Sequence, residues 1–312
     1  MIPIKNNDLK ELAKIHFESA KRELDKKGTA FVEEVEAYYL QTGAGLSFKE
    51  VITADFKTLK EHAAKYKISE KKTPVEEFIV ENLYGCFAKS VSRFGGIEVE
   101  YKETKQYYNA QALIYFLGIT VCPYCNRNYI NNIEKENDKT IRTSQFDHFF
   151  NKKDYPLYAI SFYNLVPSCY ACNHTKSVHD ISKSPYDSDL NIGNTIKFDF
   201  ELKSALPLKN KSDVTIFISE QKGLEDNVRV LGLENQYELH KGDVYEILMR
   251  QHFFTDEMIQ EYFDNYNSLF EFENENQLKS FLLGGYFDEK NIINTSLGKL
   301  KYDICTKLKN IK

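Results

Sequence analysis

Two cysteine pairs, Cys122-Pro-Tyr-Cys125 and Cys169-Tyr-Ala-Cys172, constrain this chain more than any other feature of its sequence. Each two-residue spacer lets both thiolates of a pair face one ion from a tight turn, so four cysteines arranged this way suit a tetrahedral zinc. Such an ion helps to fold the segment and does no chemistry. The residues between and beside the pairs differ in kind: Phe146-Asp147-His148-Phe149, Asn164-Leu-Val-Pro, and Asn173-His174-Thr-Lys176. Asp, His, Asn and Lys can hold a hard metal, take a proton from water and meet a phosphate.

A thioredoxin-like reading of the cysteines fits poorly. A redox motif needs one CxxC opening a helix in a βαβ pattern, whereas here a polar loop region separates two pairs. Six cysteines in 312 residues, four of them paired in this way, point to metal binding in a reducing cytosol and not to structural disulfides. Cys86 and Cys305 read as plain core or surface residues. The start, Met1-Ile-Pro-Ile-Lys-Asn-Asn-Asp, lacks the apolar stretch of a secretory signal. No run approaches the roughly 18 apolar residues that a membrane span needs. The expected location is cytoplasmic, with no membrane contact.

An apolar fraction of 42% and a charged fraction of 28% are those of a soluble globular protein. The length allows two or three compact units. The formal net charge of −5 gives no support to a sequence-blind nucleic-acid binder, which ordinarily carries a basic face. The motif region is less acidic. Between 142 and 186, Arg142, Lys152, Lys153, Lys176 and Lys183 face Asp147, Asp154 and Asp180, a local balance of +2. The 22 Phe and 21 Tyr are scattered, which suits core packing and not a base-stacking platform.

Along the chain, residues 1–118 read as helical. Leu9, Leu12, Phe17, Ala20 and Leu24 follow a 3.6-residue period, and Phe31, Val32, Val35, Tyr38 and Tyr39 continue it. Ser47-Phe-Lys-Glu50 and Thr73-Pro-Val-Glu76 match the capping box. The second opens a helix carrying Val75, Phe78, Ile79, Leu83, Phe87 and Val91 on one face, stopped by Gly95-Gly96. Tyr107 to Leu117 predicts another helix. Residues 119–186 hold the cysteines. There Asn128 to Ile133 and Thr140 to Phe146 read as strands around the turn Glu136-Asn-Asp-Lys139, and Ser168 to His179 as a helix with Asn173, Lys176 and Asp180 on one face. In 187–312, after a linker over Ser182 to Thr195, strands are expected at 196–200 and 214–218. Helices follow at 237–253, 255–270 and 297–308.

The set of motifs from Cys122 to Asp180 resembles the HNH endonucleases, in which two strands and a helix surround a metal. The resemblance rests on the paired CxxC knuckles, the Asp-His, the Asn before Leu-Val-Pro and the Cys-Asn-x-x-Lys ending. It implies an α+β fold: a ββα-metal nuclease core with structural zinc, flanked by a helical N-terminal region and a mixed, mostly helical C-terminal region. It also implies hydrolysis of phosphodiester bonds in DNA. Tyr237-Glu-Leu-His240-Lys and Leu297-Gly-Lys-Leu300-Lys-Tyr-Asp-Ile304 look like what accompanies such cores in bacterial HNH proteins, some linked to anti-phage defence, where an ATPase would be a partner.

Roles follow beside the resemblance. His148 is the candidate general base, its free pKa being roughly 6.5. Asn164 would orient it, Asp147 would bind Mg²⁺ or Mn²⁺, and Lys176 would steady the phosphate. Cys122, Cys125, Cys169 and Cys172 would hold Zn²⁺. Where the family's name has its last His, this chain has Asn173, with His174 beside it. An amide oxygen suits a hard ion, and a one-residue step turns a helical side chain by about 100°. Asn173 is therefore the preferred second ligand and His174 the alternative. His179 reads as a helix C-terminal histidine, while His16, His62, His240 and His252 have no motif support. Two other functions fit the same residues: cleavage of RNA, since nothing in the motif addresses a 2′-OH, and a non-catalytic zinc module that binds nucleic acid or protein.

Overall fold

The computed structural model describes residues 1–42, 45–66, 71–89, 92–135, 139–203, 210–220, 223–285, 289 and 292–310. Helix α1 (Leu9–Asp25) buries Leu12, Phe17, Ala20 and Leu24 of the predicted apolar stripe, leaves Leu9 half-buried and adds His16. Helices α2 (Thr29–Thr42) and α3 (Phe48–Thr53) pack beside it, and α4 (Phe56–Ala63) packs on the turn at 162–164. Both capping boxes form: Ser47 with Glu50 at the start of α3, and Thr73 with Glu76 at the start of α5 (Pro74–Glu77).

The single helix expected after Thr73 is not regular. After α5 the chain runs as a π-helix over Phe78–Tyr84, then as α6 (Gly85–Ala88). Such wide turns accommodate an extra residue without breaking the helix. The helix ends before Gly95-Gly96, and Val91, placed on its face by the sequence pattern, lies outside the described residues. Gly95 has another use. At φ +79° it packs so closely on α1 that a Cβ would sit 2.8 Å from the Ser19 carbonyl oxygen, and its N–H donates to Glu23 Oε2 at 3.1 Å.

The N-terminal region is not all helical. Strands β1 (Glu98–Tyr101) and β2 (Thr104–Tyr107) form a hairpin, its turn helped by Lys102 at φ +53°. Tyr107 therefore belongs to a strand, and helix α7 (Ala110–Leu117) starts later, where Asn109 caps two backbone N–H groups.

In the middle of the chain, β3 (Asn132–Lys135) pairs with β4 (Lys139–Arg142). Residues 136–138 of the expected turn lie outside the described residues. The predicted second strand divides: Phe146 belongs to β5 (Gln145–His148), which pairs antiparallel with β6 (Leu165–Ser168), and α8 (Tyr170–Lys176) follows. The strand–strand–helix unit is thus β5–β6–α8, not the 128–146 hairpin. Helix α8 also stops short of His179. Ser177, at φ +47°, turns the chain away, so Asp180 shares no helical face with Asn173 and Lys176.

The expected linker over Ser182 to Thr195 is packed. Ser184, Tyr186, Leu190 and Ile192 are buried, and Lys183 N–H donates to Asn227 Oδ1 at 3.0 Å. Beyond it, β7 (Lys197–Leu202) and β8 (Val214–Glu220) pair antiparallel, with an irregularity between Lys197 and Phe198. Asp303 Oδ2 accepts from the Phe198 N–H there at 2.9 Å. Helices α9 (Glu225–Val230), α10 (Leu233–Glu238), α11 (Lys241–Phe253), α12 (Asp256–Phe270), α13 (Glu275–Leu283) and α14 (Gly298–Asn310) complete the fold. The expected helix from Tyr237 is broken between α10 and α11. One apolar core takes in Leu12, Phe87, Phe162, Leu165, Phe198 and Leu300, drawn from every part of the chain. Among the described residues no helix is long and apolar enough to cross a membrane.

His16 lies inside this core, fully buried among Phe87, Tyr108 and Phe162. Its Nε2 is 2.8 Å from the Ile160 carbonyl oxygen, which can only accept, so Nδ1 accepts from the Tyr108 hydroxyl at 2.9 Å. Burial pushes its pKa down to about 4. The unfolded chain binds this proton more readily, so the stability His16 contributes is present above about pH 6.5 and is lost as pH falls towards about 4. Replacing His16 with methionine should make the denaturation midpoint less acid-sensitive. The expected difference between pH 7.5 and 4.5 is about 2–3 kcal/mol, measured by urea titration of both proteins.

Candidate active site and metal centre

The first cysteine pair sits in a tight turn. Asn126 adopts φ +50° and its N–H donates to the Cys122 carbonyl at 2.7 Å. Cys169 is the N-cap of α8 and accepts from the Cys172 N–H at 3.5 Å. All four sulfurs lie within 4.8 Å of one another and all four residues are buried. Tetrahedral zinc with Zn–S bonds of about 2.3 Å requires sulfurs roughly 3.8 Å apart, and Cys125 and Cys169 are at 4.0 Å. The donor set fits zinc. Hydrogen bonding from Cys122 holds the Cys169 and Cys125 thiols below the usual range, while burial pushes Cys122 up and hydrogen bonding to Cys122 raises Cys172. Four sulfurs this close would be thiolates together only with a cation between them.

Next to this knuckle is an open pocket of about 400 Å³, lined by Asp147, His148, Asn173 and His174 with Tyr84 and Lys152. Strand β5 supplies the first two residues and α8 the next two. The β5–β6 register sets Asp147 opposite Val166 and His148 opposite Leu165. His148 Nε2 is 3.0 Å from the Ala159 carbonyl oxygen, so this nitrogen carries the proton and Nδ1 keeps its lone pair. The ring packs edge-on to Tyr84 at 4.4 Å between centroids. Burial, reinforced by Lys152, pushes its pKa down to about 3, so the imidazole is neutral at pH 7.

Asn164 does not touch His148. Its Nδ2 donates to the Tyr158 and Phe150 carbonyls at 2.9 and 3.1 Å, and its Oδ1 accepts from the Phe150 N–H at 2.8 Å. It ties the end of β5 to the loop that presents Ala159.

Lys176 also departs from expectation. It is fully buried, its ammonium 3.2 Å from Asp147 Oδ2 and donating to the His148 carbonyl at 2.8 Å. The Tyr124 hydroxyl donates to the same carboxylate at 2.7 Å. Burial raises the Asp147 pKa, opposed by Lys176. Breaking a buried pair strands the remaining charge at a cost of about 3–5 kcal/mol. Lys176→Met should lose about that much in urea unfolding, and adding Asp147→Asn should restore part of it. Additive losses would show that the two groups are not coupled.

The structure thus brings Asp147, His148, Asn173 and His174 to one pocket and sets Asn164 and Lys176 behind it. Asn173 Nδ2 donates to Gln145 Oε1, and the exposed His174 stacks on Tyr170 at 5.4 Å. His179 is exposed, beyond the end of α8. Among the described residues the four cysteines are the group of His, Cys, Asp or Glu placed to hold a metal. Three contributors escaped the sequence reading. Tyr124 lies in the spacer of the first pair, where any residue satisfies the pattern. Tyr84 reaches the pocket from a distant helix. Ala159 acts through its backbone. No pattern in the sequence marks the last two.

Over 64 residues the chain is 34% identical to the Septu protein PtuB of Bacillus thuringiensis, a stretch amounting to 20% of this chain and 22% of that protein. The chain therefore matches little more than a fifth of that relative's length. No protein-family profile and no solved structure matches the chain.

Proposed function

We propose that the chain is a metal-dependent nuclease of the HNH type that hydrolyses phosphodiester bonds in DNA. The observation that carries this reading is the convergence of β5 and α8 on one pocket beside the four cysteines. There a neutral imidazole, fixed through Nε2 by the Ala159 carbonyl, leaves Nδ1 as a base. His148 Nδ1 takes the proton of the attacking water. Asp147 and Asn173 hold Mg²⁺ or Mn²⁺, with His174 as the alternative to Asn173; such an ion neutralises phosphate charge and aids the leaving oxygen. The four cysteines hold Zn²⁺ as a structural ion.

Lys176 then acts on the carboxylate and not on the substrate, holding Asp147 in place. Lys152 and Lys153 line the pocket and supply the positive charge that meets the phosphate backbone. The likeness to a Septu protein supports a role in defence against phage; the ATPase partner is what the sequence resemblance implies.

The test is cleavage of supercoiled plasmid with Mg²⁺ or Mn²⁺, with an RNA competitor in parallel. Nicked or linear product that needs the ion and persists under RNA competition is expected. Cleavage of RNA in preference would assign the pocket to the other substrate. A second reading, a zinc module without catalysis, is favoured by the engagement of Asp147 with Lys176 and Tyr124. It predicts no cleavage of either polymer with any ion.

A further inference from the structure

The segment from Thr255 to Gly285 has a composition unlike the rest of the chain. It holds seven carboxylates and one lysine, so its charge of −6 outweighs the chain's total of −5 and leaves all other residues together at +1. The lysine, Lys279, bridges Asp256 and Glu275 at 3.4 and 2.6 Å. The same segment is rich in exposed aromatic and aliphatic surface. Phe281 is 70% exposed, Leu269 73% and Tyr266 49%. Its helices α12 and α13 have a small apolar cluster of their own, Ile259, Leu278 and Leu283, separate from the main core. Between them runs a groove of about 350 Å³ whose walls include Tyr262, Tyr266, Phe272, Phe281 and Leu282.

An apolar groove between two helices accepts the apolar face of a third, anchored by residues at i, i+3 or i+4, and i+7. The net charge of the segment that forms the groove selects which helix. Carboxylates repel the phosphates of nucleic acid and of anionic lipid. A symmetric pairing of two copies through this face would set acid against acid. Lysine and arginine flanking an apolar stripe would instead find complementary charge on the helices that form the groove. We propose that the α12–α13 groove is the docking site for a basic amphipathic helix of a partner protein. The surface is independent of the pocket at β5 and α8.

The probe is a labelled peptide of about 18 residues with leucine along one helical face and lysine elsewhere, titrated against the full chain by fluorescence anisotropy. Two control peptides replace lysine with glutamate or leucine with serine. Saturable binding of one peptide per chain is expected, at least about tenfold weaker for both controls. Phe281→Asp and Tyr266→Asp should each weaken binding by a similar factor. Both side chains are exposed, so folding should survive, checked by circular dichroism and melting. The proposal is overturned if the variants bind the lysine peptide as the parent does, or if either control binds equally. It is also overturned if sedimentation shows a dimer that Phe281→Asp dissociates, which would make a second copy the occupant. Vesicle binding that depends on Phe281 would overturn it in favour of lipid.

Discussion

Replacing His148 with alanine is expected to lower plasmid cleavage by about 10²–10⁴-fold, the range for loss of a positioned general base, while zinc content stays near that of the parent and melting falls because the buried contact with the Ala159 carbonyl is lost. The His148 imidazole is held by the Ala159 carbonyl through Nε2, which leaves Nδ1 with its lone pair toward the water to be activated. His148→Gln is the more incisive variant. Its amide can still donate to Ala159, so the loop remains anchored while the basic nitrogen is gone. Cleavage should fall as far as with alanine. Full activity in the glutamine variant, with ion dependence unchanged, would remove His148 from the mechanism.

Removing zinc should have a larger effect on the fold than any single change in the pocket. Structural zinc contributes about 10–16 kcal/mol of apparent binding energy at neutral pH, comparable to the entire stability of a typical domain, about 5–15 kcal/mol. The knuckle also supports the pocket directly, because Tyr124 lies between Cys122 and Cys125 and donates to Asp147. Chelation in mild denaturant, or Cys169→Ser, should lower the melting midpoint by about 10 °C or more and abolish cleavage together with it. Elemental analysis should give one zinc per chain beforehand. A metal-free chain that melts at the same temperature would show that the sulfurs are held by packing alone.

Local signals were legible where the physics is local. The stripe of α1, both capping boxes and the paired strands β7 and β8 follow from periodicity and cap chemistry within a few residues. The cysteine pairs announced their own convergence because spacing restricts what thiolates can do. What failed depended on distant partners. Nothing in Phe146-Asp147-His148 says that its strand pairs with Leu165–Ser168 and not with the stretch before it; that pairing goes with the burial of Phe146 and Val166 in the common core. Lys176 has the composition of a solvent-facing helix residue, and only the tertiary placement of Asp147 brings it inside. The β1–β2 hairpin was hidden because Glu98-Val-Glu-Tyr101 alternates too briefly to stand out between helices.

The first cysteine turn is also clamped from far along the chain. Asn126 Oδ1 accepts from the Lys299 N–H at 2.8 Å, 173 positions away, the Asn126 carbonyl accepts from Leu297 N–H at 2.7 Å, and Tyr237 donates to the Cys125 carbonyl. At about 5–20 residues per second of synthesis, roughly 10–35 s separate the appearance of the turn from that of its clamp. During that interval a nascent chain carries both cysteine pairs without the backbone partners that fix their geometry. The first cysteine turn thus gains its last backbone partners only once α14 has been made.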